Sequence, residues 1–284
     1  MDVGTLKPTE LAVLDRLADF RFLTADQLMH LGVSKSKRHL YATLKAMATR
    51  QKPLVAKLDF GVAPTLGRLA LIYHLTARGA ELLGDAGRDP DTIRVPKRVR
   101  LFAKEYFHRI ACVEFHIAVA GWLACHGGAL DHYVSYYEHG SKGSTGRFTP
   151  ATTVTWPGGQ LTADALFLFR GPDETARLCA FELHRGRDAM RLMRQFEAYV
   201  AGIRHEAIET AWNYSEAVRV LLVFEEAKTL VRFVERASGV PLEADTAGRF
   251  FLNTLERVRA DFRLGWVPLH TAGRSEPTGP LFAS

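Results

Sequence analysis

Two acidic residues lie within segments that are otherwise apolar. Asp164 belongs to LTADALFLF (161–169), and Glu182 belongs to RLCAFELH (177–184). A buried charge without a partner is strongly unfavourable, so acids in such positions need a cation, a hydrogen-bond partner or a functional reason. The pair is therefore a candidate for binding a metal ion.

The spacing of the two segments predicts that these acids face each other. If the segments form a hairpin centred on Asp173, paired residues have numbers that sum to 346, and Asp164 lies opposite Glu182. Opposed residues have Cβ atoms about 4.5–5.5 Å apart, and carboxylates that close repel unless a cation lies between them. Oxygen donors of this kind suit Mg²⁺ or Mn²⁺. A slip of one residue in the register would separate them.

Two further residues join the candidate site. His184 follows Glu182 by two positions and so shares its strand face, where it could bind metal or position or deprotonate a water molecule. Glu138, at the end of the preceding predicted strand (132–138), is a candidate metal ligand. The alternative is that the two acids form ion pairs with arginines such as Arg187 or Arg194.

Other potential ligands and nucleophiles favour structural roles. His108, Cys112 and His116 are spaced for one face of a helix, as zinc ligands can be, but a half-buried helix with hydrogen-bonded histidines is the favoured interpretation. Tyr199 lies on the apolar stripe of a predicted helix (187–204), where packing is favoured over a nucleophilic role.

The first 84 residues have the pattern of a winged helix-turn-helix. Thr9, Thr24 and Ser34 are predicted N-caps of three helices, the second of which ends at Gly32. Two strand-like segments, 54–60 and 69–75, flank the loop GVAPTLGR, and a last helix follows Thr76. Three helices, a hairpin and a returning helix form this DNA-binding motif.

The third predicted helix is the candidate recognition helix. Its polar face carries cations and hydroxyl groups suited to phosphate oxygens and base edges. We expect DNA contacts from this face and from the hairpin, through Lys35, Lys37, Arg38, His39, Tyr41, Lys45 and Arg68. Thr43 is predicted to share the face.

The charge distribution supports a polyanionic partner for this half. Residues 1–110 hold 19 Lys and Arg against 11 Asp and Glu, whereas the remainder holds 18 against 20. A basic half beside a slightly acidic half indicates a module for nucleic acid joined to another activity. The alternatives are a solvated basic surface and a winged helix that binds protein.

The rest of the chain predicts an α/β sandwich. A Pro/Gly-containing basic linker (85–101) precedes an α/β domain (102–272) and a Ser/Pro/Gly-rich tail (273–284). Three cysteines without C-x-x-C spacing favour a reducing, cytoplasmic environment. No apolar segment has the length of a membrane helix, and the N-terminus lacks the features of a secretory signal.

The chain resembles the replication-relaxation family of plasmid and mobile-element proteins, which includes MobC-type mobilisation relaxases, and the wider PD-(D/E)XK nuclease superfamily. The resembling segments are YHLTARGAELL, FHRIACVEFHIAV, TADALFLF, AFELHRG and RQFEAYVAG, within residues 23–224. The resemblance implies DNA binding at a plasmid origin and Mg²⁺- or Mn²⁺-dependent nicking by Asp164, Glu182 and the residue at 184. The nuclease lysine is replaced there by His184.

These observations predict a DNA-binding protein that nicks or relaxes DNA during mobilisation or replication. Asp164 and Glu182 would bind the metal ion, and His184 would assist. The alternative is a non-catalytic replication accessory factor or transcriptional regulator, which the missing lysine favours. Double-stranded DNA is the expected partner, with a second copy of the chain or other mobilisation and replication proteins as further candidates.

Overall fold

The structure, a computed structural model, describes residues 6–96, 105–142, 148–186, 188–272 and 281 of the 284-residue chain. Residues 97–104 of the predicted linker and second domain, and all of the predicted tail except Leu281, lie outside the described residues. The chain divides into two compact units, 1–117 and 118–284. Among the described helices, none is both long enough and apolar enough to cross a membrane.

The first unit begins with helices and ends with a helix, with short strands between them. Its elements are α1 (Pro8–Phe20), β1 (Leu23–Thr24), α2 (Ala25–His30), α3 (Lys37–Thr49), β2 (Val55–Leu58), β3 (Val62–Ala63), β4 (Gly67–Arg68), β5 (Ile72–Leu75) and α4 (Ala77–Asp85).

The caps of these helices explain where they begin. Thr24 and Thr76 accept backbone N–H groups at the starts of α2 and α4, as predicted. Two predicted caps are wrong: α1 already begins at Pro8, whose fixed φ suits the first helical position, so Thr9 lies within the helix. Ser36, rather than Ser34, caps α3 by accepting the N–H of His39.

A three-stranded antiparallel sheet closes the first unit. Its central strand, β5, pairs with β1 on one side and β2 on the other, and β3 and β4 form a separate hairpin. Fully buried side chains from the helices and strands make the core, among them Leu14, Leu17, Leu40, Leu44, Ile72 and Leu82. The sequence predicts a two-stranded hairpin, whereas the structure adds β1 as a third strand. With only two residues, β1 is too short to show a strand pattern in the sequence.

Helix α4 approaches the segment before β2 so closely that only glycine fits at position 79. A Cβ atom there would lie 2.1 Å from the carbonyl oxygen of Leu54. Overpacking of this kind typically costs about 1–3 kcal/mol. We expect Gly79→Ala to lower the free energy of unfolding by about 2 kcal/mol or more, as measured by urea denaturation.

A second glycine in the same helix provides the control. A Cβ at Gly84 would meet Pro90 at an ordinary 3.9 Å. Alanine is the better helix former by about 1 kcal/mol. Gly84→Ala should therefore be neutral or mildly stabilising, and equal destabilisation by both substitutions would contradict the packing argument.

The second unit is built around a sheet with helices on both sides. Helix α5 (Tyr106–Cys125) runs from the first unit into the second. It is followed by β6 (Ala129–Ser135), β7 (His139–Lys142), β8 (Phe148–Pro150), β9 (Thr153–Trp156), β10 (Gly159–Thr162), β11 (Ala165–Arg170), β12 (Ala176–His184), α6 (Ala189–Arg204), α7 (Ala207–Trp212), β13 (Arg219–Phe224), α8 (Ala227–Ala237), α9 (Ala244–Gly248), β14 (Phe250–Thr254), α10 (Leu255–Ala260) and β15 (Val267–Pro268).

The main sheet is mixed, with six strands in the order β15-β14-β13-β12-β11-β6. Strands β12, β13 and β14 are parallel, and the remaining neighbours pair antiparallel. Parallel neighbours need crossover connections, which α6 with α7 and α8 with α9 supply. The predicted α/β class is confirmed.

Successive side chains of each strand point to opposite faces of the sheet, and both faces are apolar. On one face, Leu166, Ala180 and Leu222 join a core with Phe196 of α6 and Phe233 of α8. On the other face, the ring of Phe169 packs against Phe262, which also contacts Trp122 near the end of α5. The sheet is thus buried on both sides, so a charged residue on it needs specific partners.

Candidate functional site

The hairpin of β11 and β12 brings the two acids together. Ala165 pairs with Phe181, so the register is the one that the sequence predicts, and Asp164, one residue before β11, falls opposite Glu182. Because β12, β13 and β14 are parallel, Glu182 lies near the edge where all three strands end. Ligand sites of open α/β sheets occur characteristically at this carboxyl edge.

Hydrogen bonds hold both carboxylates in place. Oδ2 of Asp164 accepts the backbone N–H of Leu183 at 2.8 Å. Oε2 of Glu182 accepts the side-chain N–H of Gln195 at 3.2 Å and the hydroxyl of Tyr199 at 3.1 Å. The exposed fractions of the two acids are only 9% and 8%. This arrangement, which we call the acidic pair, is therefore nearly buried and fixed in orientation.

Burial and mutual repulsion disfavour full ionisation of the acidic pair. The pKa of Glu182 is raised well above its ordinary value, first by burial and then by the Asp164 carboxylate. The donors Tyr199 and Gln195 and the positive charge of Arg191 oppose this shift in the pKa. The pKa of Tyr199 is also raised, by burial and then by the charge of Glu182. A cation beside the pair would relieve the repulsion.

Helix α6 supplies the partners of Glu182. Asp188 caps it by accepting the N–H groups of Met190 and Arg191. Gln195 and Tyr199 are four residues apart, so they lie on the same side of the helix, one turn from each other. Gln195 also donates to the carbonyl of Thr162, which precedes Asp164. One face of α6 thus contacts the Glu182 carboxylate and the backbone that leads to Asp164.

The sequence did not reveal the roles of these α6 residues. Tyr199 is fully buried, as an apolar stripe predicts, but its hydroxyl is bound to Glu182. Sequence pattern alone assigns no role to Gln195 or Arg191. A signal was present, because a glutamine and a tyrosine four residues apart lie on the helix that follows a strand with a buried acid.

Each of the other predicted site residues has contacts of its own. The ring of His184 is half-buried, with its centroid 5.1 Å from that of Phe224. Oε1 of Glu138 accepts the N–H of Ser135 and closes the turn after β6. The guanidinium of Arg194 donates to the carbonyl of Met190. Arg187 lies outside the described residues.

The two histidines of α5 have different surroundings. The ring of His116 is buried, with its centroid 4.6 Å from that of Phe20. Burial, followed by the charge of Arg21, holds the pKa of His116 well below its ordinary value. The Nδ1 atom of His108 lies 3.7 Å from the sulfur of Cys112.

In the first unit, the predicted DNA-binding side chains of the α3 region are all exposed: Lys35, Lys37, Arg38, His39, Tyr41 and Lys45. Lys37 forms an ion pair with Asp26 at 2.7 Å and lies over the ring of Tyr41. The prediction for Thr43 is wrong, because this residue is buried beside Leu44 on the core side of the helix. The exposed residues form a surface that we call the α3 face.

The hairpin residue Arg68 is also exposed, but it is not an isolated cation. Its guanidinium binds the carboxylate of Asp59 at 2.6 Å. An exposed pair of this kind contributes little stability and is screened by salt. To contact a phosphate, the guanidinium of Arg68 therefore has to bind it alongside Asp59 or break its ion pair with Asp59.

Comparison with known proteins gives one match. The family model described as replication-relaxation matches residues 14–218, a range that includes the α3 face and the acidic pair. No curated protein and no solved structure matches the chain.

Proposed function

This chain belongs to the replication-relaxation family, and from that premise we propose that it binds double-stranded DNA and nicks it during replication or mobilisation of a plasmid or mobile element. The first unit would act as a winged helix, and the second as a PD-(D/E)XK-like nuclease domain. The observation that supports catalysis most directly is the acidic pair at the carboxyl edge of the sheet.

The residues of the acidic pair fit a divalent metal ion. They offer carboxylate oxygens, which Mg²⁺ and Mn²⁺ prefer, and they are held at a sheet edge by hydrogen bonds. Burial and the nearby Asp164 carboxylate raise the pKa of Glu182, and the charge of a divalent ion would oppose both effects. Asp164 and Glu182 would hold the ion, and Glu138 is a further candidate ligand.

Each residue of the site would have a distinct role. A bound Mg²⁺ would lower the pKa of water and neutralise charge on the phosphate. Leu183 and Gln195 would keep the two carboxylates aimed at the same point through their N–H groups. His184 would accept the proton of the attacking water at an imidazole nitrogen, a task that an arginine cannot perform.

The α3 face would hold the duplex. Its cations are exposed on a helix whose opposite side is packed into the core, which is how a recognition helix presents itself to the major groove. Arg38 and Lys45 are exposed on it, and Tyr41 adds a hydroxyl between them. Phosphate contacts would set the affinity, and base contacts the sequence preference.

We expect the double substitution Arg38→Ala and Lys45→Ala to weaken duplex binding. It should also make the affinity less dependent on salt concentration. Each lost phosphate contact lowers the slope of log K against log salt by about 1, so the double variant should lose about 2. Fluorescence anisotropy with a labelled duplex measures both quantities. Arg232→Ala, an exposed charge change on α8, is the control.

The outcome of these assays separates the proposed function from its alternative. Nicking of supercoiled plasmid by the wild type with Mg²⁺ or Mn²⁺ supports the nuclease. Salt-dependent binding without cleavage under either metal favours a non-catalytic replication factor or regulator, for which the histidine at position 184 is the supporting observation. Absence of salt-dependent binding would contradict both and favour a protein-binding adaptor.

A further inference from the structure

A cleft with positively charged walls lies at the end of α3, apart from the α3 face. It has a volume of about 400 Å³, within the roughly 300–1,000 Å³ range of ligand sites. It lies where α3, the segment leading to β2, and α4 come together. Its described lining residues, which define the basic cleft, are Arg50, Gln51, Lys52, Leu54, Arg78 and Leu82.

The charge of the lining is one-sided. Three of the described lining residues carry a positive charge and none carries a negative one. Lys52 is exposed and forms no ion pair within the described part of the chain. Arg78 binds Glu81, which is itself exposed, at 2.9 Å. Guanidinium and ammonium groups gathered in this way suit the oxygens of a phosphate.

One of the cations is fixed in position from behind. The guanidinium of Arg50 binds Oε1 of Glu10 at 2.5 Å, and the Glu10 side chain is only 4% exposed. The other oxygen of Glu10 accepts the N–H of Lys7 at the start of α1. Arg50 is thus held by a buried carboxylate at the wall of the cleft, which lowers the entropy cost of binding an anion there.

The length of α3 relates the cleft to the duplex. A helix of 13 residues is about 20 Å long, whereas the major groove is about 12 Å wide. A helix that enters the groove with its first turns therefore extends beyond the groove edge at its last turn. The basic cleft begins at Arg50, directly after α3 ends. With α3 in the major groove, the sugar-phosphate backbone beside the groove would lie there.

We propose that the basic cleft binds a phosphate group of the DNA backbone beside the groove that the α3 face occupies. This inference rests on the proposed DNA-binding function. The cations would bind the phosphate oxygens, and the buried Leu54 and Leu82 would form the rigid floor of the cleft. The cleft would fix the position of the duplex without reading its sequence.

Lys52→Ala and Arg78→Ala, singly and together, test the inference in the full-length protein. Each should reduce the magnitude of the slope of log K against log salt by about 1, so the affinity lost relative to the wild type is about tenfold greater at 0.1 M salt than at 1 M. The loss should be the same for duplexes of unrelated sequence. Arg50 is left in place, because its removal would take the cation away from the buried Glu10 carboxylate.

Arg232→Ala again controls for net charge, and thermal unfolding checks that each variant is folded. An unchanged slope in the Lys52/Arg78 double variant, together with a reduced slope in the Arg38/Lys45 variant, would overturn the inference while leaving the proposed function intact. A wild type without salt-dependent binding would overturn both.

Inorganic pyrophosphate distinguishes the backbone from a free anion. If pyrophosphate raises the unfolding temperature of the wild type but not of the double variant, and the slope for duplex binding also falls, the inference is supported. The same pyrophosphate effect with an unchanged slope would overturn it and assign the cleft to a free phosphate compound.

Discussion

Asparagine in place of Asp164, or glutamine in place of Glu182, is expected to abolish metal-dependent nicking while duplex binding stays unchanged. Both substitutions keep an oxygen that can accept the existing hydrogen bonds from Leu183, Gln195 and Tyr199. They remove only the charge that would hold a divalent ion. Loss of about 4 kcal/mol of transition-state stabilisation corresponds to about a 10³-fold slower reaction.

The conversion of supercoiled to open-circular plasmid measures this effect. Glu197→Gln is the matched control, because Glu197 is an exposed carboxylate on α6, the same helix that carries Gln195 and Tyr199. It should nick at the wild-type rate. Nicking by Asp164→Asn and Glu182→Gln at that same rate would show that the acidic pair is not the catalytic site.

The second large effect is on stability. Most substitutions of buried residues destabilise a protein, but this one should stabilise it. Without metal, Glu182→Gln should raise the unfolding temperature at neutral pH by about 5 °C, which corresponds to roughly 2 kcal/mol for a unit of this size. The reason is that Glu182, at neutral pH, must either carry a charge beside Asp164 or take up a proton that the unfolded chain releases, and glutamine does neither. Its amide can still accept the hydrogen bonds from α6.

The pH dependence follows from the raised pKa of Glu182. Because this pKa is higher in the folded protein than the ordinary 4.5, the folded state holds a proton that the unfolded chain releases. The stabilising contribution is therefore complete below about pH 4.5 and is lost as the pH rises through the folded-state value. Glu182→Gln should remove this decline, and Mg²⁺ should offset it only in the wild type.

Another buried glutamate provides the contrast. Glu209 accepts the N–H of Val218 and binds Arg249 at 2.9 Å, so its negative charge has a partner. Glu209→Gln should destabilise the protein at neutral pH, since it removes the buried charge that pairs with Arg249 and leaves that arginine only the exposed Asp245 as a carboxylate partner among the contacts described. Parallel stability–pH curves for the wild type and Glu182→Gln would contradict the explanation given for the acidic pair.

The sequence predicted the α/β class and the central hairpin because each depends on local patterns. The hairpin register followed from the turn-rich segment around Asp173, and Ala165 indeed pairs with Phe181. The sequence pattern predicts the cap of α3 two residues early, at Ser34, since Ser34 and Ser36 are equally good caps by type. Only the hydrogen bond from His39 distinguishes them.

What the sequence could not predict are contacts between elements that are distant along the chain. Tyr199 fits an apolar stripe, and periodicity alone says nothing about its hydroxyl. The bond to Glu182 depends on how α6 crosses β12, which side-chain packing determines. Likewise, the sequence predicts that Arg68 is an available cation. In the structure, the hairpin brings Asp59 beside it, and the two form an ion pair.

The hydrogen bonds of the acidic pair also bear on how the second unit folds. Leu183 and Asp164 are 19 residues apart, and Tyr199 and Glu182 are 17 apart, whereas β12 and β13 pair residues 40 apart, such as Cys179 with Arg219. Each doubling of a closed loop costs about 0.6 kcal/mol more, and low contact order favours rapid formation. Residues 164–199 can therefore assemble as a local hairpin and helix during synthesis, before the parallel strands that complete the sheet have left the ribosome.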